Sequence, residues 1–161
     1  MRVELESPNQ TDIIALIADL DAYQDTLYPA EARYALDLAS LSKPNVLFVV
    51  ARDEQNAALG CGAIVLHETY GEVKRMYVRP EARGKGVAKQ VITTLEASAY
   101  ALGCREFMLE TGPYQLEALR FYAGQGYVRR GAFGVYHEHP LSVFMGKSHV
   151  SQSLASVFNN A

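Results

Sequence analysis

The chain has 161 residues, 49% hydrophobic and 20% charged, which fits one soluble domain with a sizeable core. A net charge of −3 argues against a general binder of nucleic acid or of anionic membranes. Two cysteines, Cys61 and Cys104, without CxxC or Cys/His ligand spacing, point away from a disulfide scaffold and a zinc site, and no metal is expected.

Val3 and Leu5 alternate with charged residues, a short strand pattern. Residues 8–12 carry helix N-cap chemistry, and Ile13, Leu16, Ile17 and Leu20 follow at helical spacing. After Pro29, residues 31–41 read as a second helix that Pro44 ends. Residues 46–51 form a continuous apolar run, a buried strand, and 53–57 a turn. Residues 59–66 are the next strand, where Gly60 and Gly62 mark a bulge or a close backbone approach. A turn at 69–71 leads into the strand 72–78, and the short links imply antiparallel pairing.

Arg83-Gly84-Lys85-Gly86-Val87-Ala88 then precedes a helix over 87–102, whose Val87, Val91, Ile92, Leu95 and Ala99 share one buried face. Gly103 is placed to stop it. Residues 107–110 are a short strand that can lie parallel to 72–78, because a helix connects them. A helix over 116–125 follows, then strands beginning at Tyr127 and over 142–145. The domain is expected to span 1–147, with 148–161 a Ser/Asn-rich tail that frays or forms a surface helix at 154–158. The last strand and the tail are candidates for pairing with a second copy in a homodimer. Residues 1–8 lack an apolar signal region and no run reaches membrane-span length, so a cytoplasmic protein with no membrane partner is expected.

The glycine loop carries the chemistry. Two glycines before a helix leave backbone N–H groups uncovered, and the helix dipole makes them an anion site. Arg83, Lys85 and Lys89 add charge, so a phosphorylated ligand is expected. The stretch is a near miss for the dinucleotide fingerprint GxGxxG. Lys89 stands in place of the third glycine, and residues 79–83 separate the loop from its strand. No GxxxxGK[ST] phosphate loop occurs.

The glycine motif, with Ala118-Leu119-Arg120-Phe121-Tyr122-Ala123-Gly124-Gln125-Gly126-Tyr127, resembles the GNAT superfamily of N-acetyltransferases. Gly60-Cys61-Gly62-Ala63, Gly71-Glu72-Val73-Lys74, Leu109-Glu110-Thr111-Gly112 and Ser142-Val143-Phe144-Met145 are similar to the YsnE-like branch of small bacterial acetyltransferases. The resemblance implies an α/β (α+β) fold, with a mixed, mostly antiparallel twisted sheet of about seven strands and about four helices. It implies acetyl-CoA as donor, with its pyrophosphate on the amides of Gly84, Lys85, Gly86, Val87 and Ala88 beside Arg83. The pantetheine arm would follow Met76, Tyr77 and Val78, in a gap between strands 72–78 and 107–110. Gln115 stands where many members carry asparagine.

The acceptor is expected to be a primary amine of a small molecule, attacking directly in a ternary complex. A base must first take its proton. Glu72 is the first candidate and Glu110 the second. Tyr122 fits the acid that protonates the leaving thiolate, and the N–H of Met76 or Val78 fits an oxyanion donor. Arg75, Tyr114 and Tyr136 are candidate acceptor residues, and His137 and His139 lie in the same loop as Tyr136. Each has a plainer alternative. Glu72 could be a solvated strand end, Glu110 could bond Thr111 and the next turn, Arg75 could pair with Glu72 or Glu110, and Tyr122 could be core. Cys61 reads as a buried filler, and Cys104 lacks a base partner for covalent chemistry. A non-catalytic acetyl-CoA sensor would keep the glycine loop, and a protein amine is the alternative acceptor.

Overall fold

The computed structural model describes residues 1–33 and 36–149. Seven strands form one sheet in the order β1-β2-β3-β4-β5-β7-β6. They are β1 (Arg2–Leu5), β2 (Val46–Arg52), β3 (Ala58–Leu66), β4 (Gly71–Val78), β5 (Glu106–Thr111), β6 (Val128–Arg130) and β7 (Val143–Ser148). Four α-helices accompany them: α1 (Thr11–Asp25), α2 (Leu38–Leu41), α3 (Val87–Ala101) and α4 (Leu116–Gly124). Every neighbouring pair is antiparallel except β4 and β5. This is the expected mixed, mostly antiparallel architecture.

The apolar run in β2 is buried because both sheet faces are covered. Val49 and Ala51 point into a core with Val87, Val91 and Leu95 of α3. Phe48 and Val50 alternate to the other face, against Ile13 and Leu16 of α1 and Leu41 of α2. Cys61 is fully buried on that second face, where burial pushes its thiol up to about 12.

Several expectations change. Among the described residues, the helix expected at 31–41 is replaced by a 3-10 turn, Ala30–Ala32, and the four-residue α2, whose start is capped by Asp37 accepting from Ser40 N–H at 2.8 Å. The N-cap of α1 is Gln10, whose side chain makes no capping bond. Asp12 goes instead to Arg52, a buried guanidinium that also binds Glu6 and Gln10. The last strand does not offer an edge to a second copy, since β7 lies between β5 and β6. The tail helix expected at 154–158 lies outside the described residues. Behind the sheet, buried Glu96 of α3 accepts from Tyr127 Oη at 2.7 Å and from Lys147 Nζ at 2.8 Å, tying α3 to β7.

The strand glycines mark a close approach, and the bulge lies opposite them in β4. Cys61 pairs with Tyr77 but Ala63 pairs with Lys74, so β4 carries one extra residue there. Arg75, at φ 57°, takes up the extra length. A Cβ on Gly60 would sit 2.7 Å from Tyr77 O and 3.2 Å from Val87 Cγ1. Gly60→Ala is therefore expected to cost about 1–3 kcal/mol of stability. Thermal unfolding checks this, and a melting temperature unchanged within a degree would contradict the close approach.

Candidate active site

The β4–β5 ladder decides where the site lies. It holds only Gly71 with Phe107 and Glu72 with Met108, after which the two strands part. Arg79 N–H donates to Leu59 O of β3 at 2.9 Å, so strand alternation turns the amides of Val78 and Met76 toward the gap. Unpaired strand groups of this kind call for a partner when covered.

A cleft of about 630 Å³ runs along this edge. Its lining includes Met76, Tyr77, Val78, Arg83, Gly84, Gly86, Val87, Ala88 and Lys89. Gly84 and Gly86 have φ of +77° and +79°, and a Cβ on either would meet nothing within 4 Å. Left-handed backbone is what glycine supplies at no steric cost. Gly86 caps α3, and the first helical bond is Gln90 N–H to Gly86 O at 3.1 Å. The amides of Val87, Ala88 and Lys89 therefore have no helical acceptor. Arg83 leans over the rings of Tyr23 and Tyr77 and donates to Val78 O at 3.1 Å. Lys85 is exposed and outside the lining. Arg79 turns away to Asp19, at 3.0 Å.

A second cavity of about 120 Å³ adjoins the cleft, and Met76, Gln115, Ala118 and Tyr122 line both. Glu72, Arg75, Glu110 and Tyr136 line this smaller pocket. Glu72 is no solvated strand end: it is buried, and the Tyr136 hydroxyl donates to its Oε2 at 2.5 Å. Lys74 Nζ lies 3.5 Å and His67 Nε2 3.6 Å from the same carboxylate. Glu110 differs. Burial drives its pKa up to about 7 and the neighbouring Glu72 adds to the rise, against a hydrogen bond from Ser142 and the charge of Lys74. Burial likewise raises the Tyr122 phenol, so it stays protonated. Among the described residues, no hydrogen bond occupies its hydroxyl.

A family match accompanies this geometry. The model described as Acetyltransferase (GNAT) family covers residues 13–127. The chain belongs to this GNAT family of acetyltransferases. An IAA acetyltransferase of Azospirillum brasilense is 45% identical over 88% of this chain and 94% of its own. The N-acetyltransferase YsnE of Bacillus subtilis is 31% identical over 91% and 99%, in keeping with the branch resemblance. A solved structure from Klebsiella pneumoniae, described as an acyl-CoA N-acyltransferase, superposes with a TM-score of 0.81 at 40% identity, over 91% of this chain and 96% of that one. An aminoglycoside 6'-N-acetyltransferase complexed with coenzyme A shares the fold at a TM-score of 0.71 and 15% identity, over 94% and 99%.

Within this acetyltransferase, the remaining candidate residues differ in their contacts. Arg75 pairs with neither Glu72 nor Glu110: its Nη1 meets Asp21 of α1 at 2.6 Å and its Nε donates to Leu36 O at 3.0 Å. Tyr114 lines the larger cleft, stacked on Tyr28 at 5.5 Å, and not the small pocket. Gln115 Oε1 makes only long contacts, 3.4 Å, to Gly112 N–H and Thr111 Oγ1. Glu110 is bonded through Ser142 and not to Thr111. His137 and His139 are exposed and line neither cavity, whereas Leu141 of the same loop reaches the pocket. Arg33, unremarked in sequence, lines the small pocket, and Asp21 pairs with it and with Arg75; nothing local in their sequence signals it. Among the described residues no cluster of ligating side chains could hold a metal, and no helix is long and apolar enough to cross a membrane.

Proposed function

We propose that this enzyme moves the acetyl group of acetyl-CoA to a primary amine of a small molecule, by direct attack within a ternary complex. The observation that carries this reading is the junction of the two cavities. Uncapped α3 amides head the larger one, Glu110 lines the smaller one, and Met76 and Tyr122 stand between them. The coenzyme diphosphate takes the amides around residues 84–88, with Arg83 and Lys89 beside it. The pantetheine arm follows the gap-facing edge at Met76 and Val78, which the parted strands leave open. The cytoplasm supplies this donor and is where we place the enzyme.

Glu110 is the base we assign in preference to Glu72. Tyr136 already donates to Glu72 and Lys74 lies close, whereas Glu110 has a pKa of about 7, suited to taking a proton near neutrality. An alkylammonium, with a pKa near 10, must lose a proton before its nitrogen can attack. Glu110 accepts that proton, the C–N bond forms, the nitrogen sheds its second proton to solvent and the C–S bond breaks. The sulfur leaves with a proton from Tyr122, which solvent restores. The Met76 or Val78 N–H steadies the oxyanion.

Release of free thiol from acetyl-CoA across a panel of amines tests the reaction. Tyr122→Phe is expected to lower kcat by about 10²-fold with donor affinity unchanged. Equal loss of both would show a packing role for this ring. A tightly bound donor with no turnover on any amine would refute the transferase reading.

A further inference from the structure

Within this acetyl-transfer reading, we infer that the acceptor is a small amino acid, its amine presented to Glu110 and its carboxylate held by Arg33 and Arg75.

Three cations line the small pocket: Arg33, Lys74 and Arg75. Lys74 stands 3.5 Å from buried Glu72. The two arginines are left to share neighbours on the α1 side. Asp21 Oδ1 receives Arg75 Nη1 at 2.6 Å and Arg33 Nη2 at 3.2 Å, while Arg33 Nη1 binds Asp25. One aspartate thus serves two guanidinium groups. Arg33 Nε is buried and has no hydrogen-bond partner among the described residues. Leaving a buried donor unpaired is costly, and more so on a charged group. A ligand carboxylate is the acceptor that suits a guanidinium fork in charge and in planar geometry.

The backbone supports the same site. Arg75 holds φ 57° at the β4 bulge, and its side chain is only 7% exposed. Left-handed backbone disfavours a residue with a Cβ, and such outliers cluster at ligand clamps. Size adds a limit. A pocket of about 120 Å³ is small beside those that enclose drug-sized ligands, so an aminoglycoside or a protein segment does not fit inside. Glu72 is already bonded to Tyr136, so Glu110 is the carboxylate that faces the ammonium end. Anion and cation sites in one small pocket describe a zwitterion.

Calorimetry on the full chain loaded with coenzyme A tests this without needing turnover. The probes are the twenty amino acids, their primary amides and their decarboxylated amines. At least one amino acid is expected to bind about 10²-fold more tightly than its amide and its amine. Arg33→Gln should bring the three within about threefold while coenzyme A affinity stays the same, and Arg33→Lys should restore part of the preference. Amines binding as well as amino acids, no amino acid binding at all, or a preference that survives Arg33→Gln would each overturn the inference. Thiol release separates the two readings. Amines that turn over while amino acids do not would sink the carboxylate site and leave acetyl transfer standing. Selective amino acid binding with no thiol released would uphold the carboxylate site and sink the transfer.

Discussion

Glu110→Gln is expected to lower kcat by about 10²–10⁴-fold and, at the same time, to make the protein more stable at pH 8. Both effects follow from the one perturbed carboxyl. Its folded pKa is about 7, raised by burial from the usual 4.5. The folded protein therefore holds this proton more tightly than the unfolded chain. Between pH 4.5 and 7, folding loses stability as the pH rises, because the native carboxyl resists ionising. Above 7 the full cost is present, at most about 3 kcal/mol at 1.36 kcal/mol per pH unit, and Gln removes it. Below pH 4.5 the carboxyl is protonated in both states, and this difference between wild type and variant should vanish. Melting curves at pH 4 and pH 8 check the sign. The pH profile of kcat/KM checks the role: a rising limb near 7 in the wild type should be missing from the variant. A variant with wild-type turnover, or one that is less stable at pH 8 than the wild type, would remove Glu110 from the mechanism.

Gly86→Glu should weaken acetyl-CoA binding by at least about 10²-fold, or roughly 2.7 kcal/mol. The structure gives two reasons. The residue sits at φ +79°, where a Cβ costs about 1–2 kcal/mol. It also caps α3, so its carboxylate would stand at the head of the amides to which we assign the diphosphate. Nothing lies within 4 Å of the added Cβ, so the fold should survive. Gly86→Ala separates the causes, since it carries the backbone strain without the charge. Titration of acetyl-CoA into both variants, with circular dichroism to verify folding, gives the comparison. Wild-type donor affinity in a folded Gly86→Glu protein would contradict the loop assignment.

Much of this molecule was legible because its signals are local. The β2 run, the turn glycines and the glycine pair before α3 each act within a few residues, and each fell where the sequence placed it. The stretch 31–41 misled because its apolar residues mimic helical spacing. Its chain is held instead by distant partners, with Arg33 drawn to Asp21 and Asp25 and Leu36 O taken by Arg75. The site suffers in the same way. Tyr136 meets Glu72 across 64 positions and Arg75 meets Asp21 across 54. No periodicity encodes such pairs; only the parting of β4 from β5 and the bulge beside it bring them together. That is why Glu72, well marked by its strand, looked free to act, and why the less conspicuous Glu110 carries the displaced pKa.

The wall common to both cavities has a consequence for binding. Met76, Gln115 and Tyr122 border the two spaces, so whatever fills the larger one finishes the surface of the smaller. Affinities that share a boundary are linked reciprocally. On the proposed transfer reading, each partner should tighten the hold on the other, and titrating one ligand into protein saturated with the other should show it.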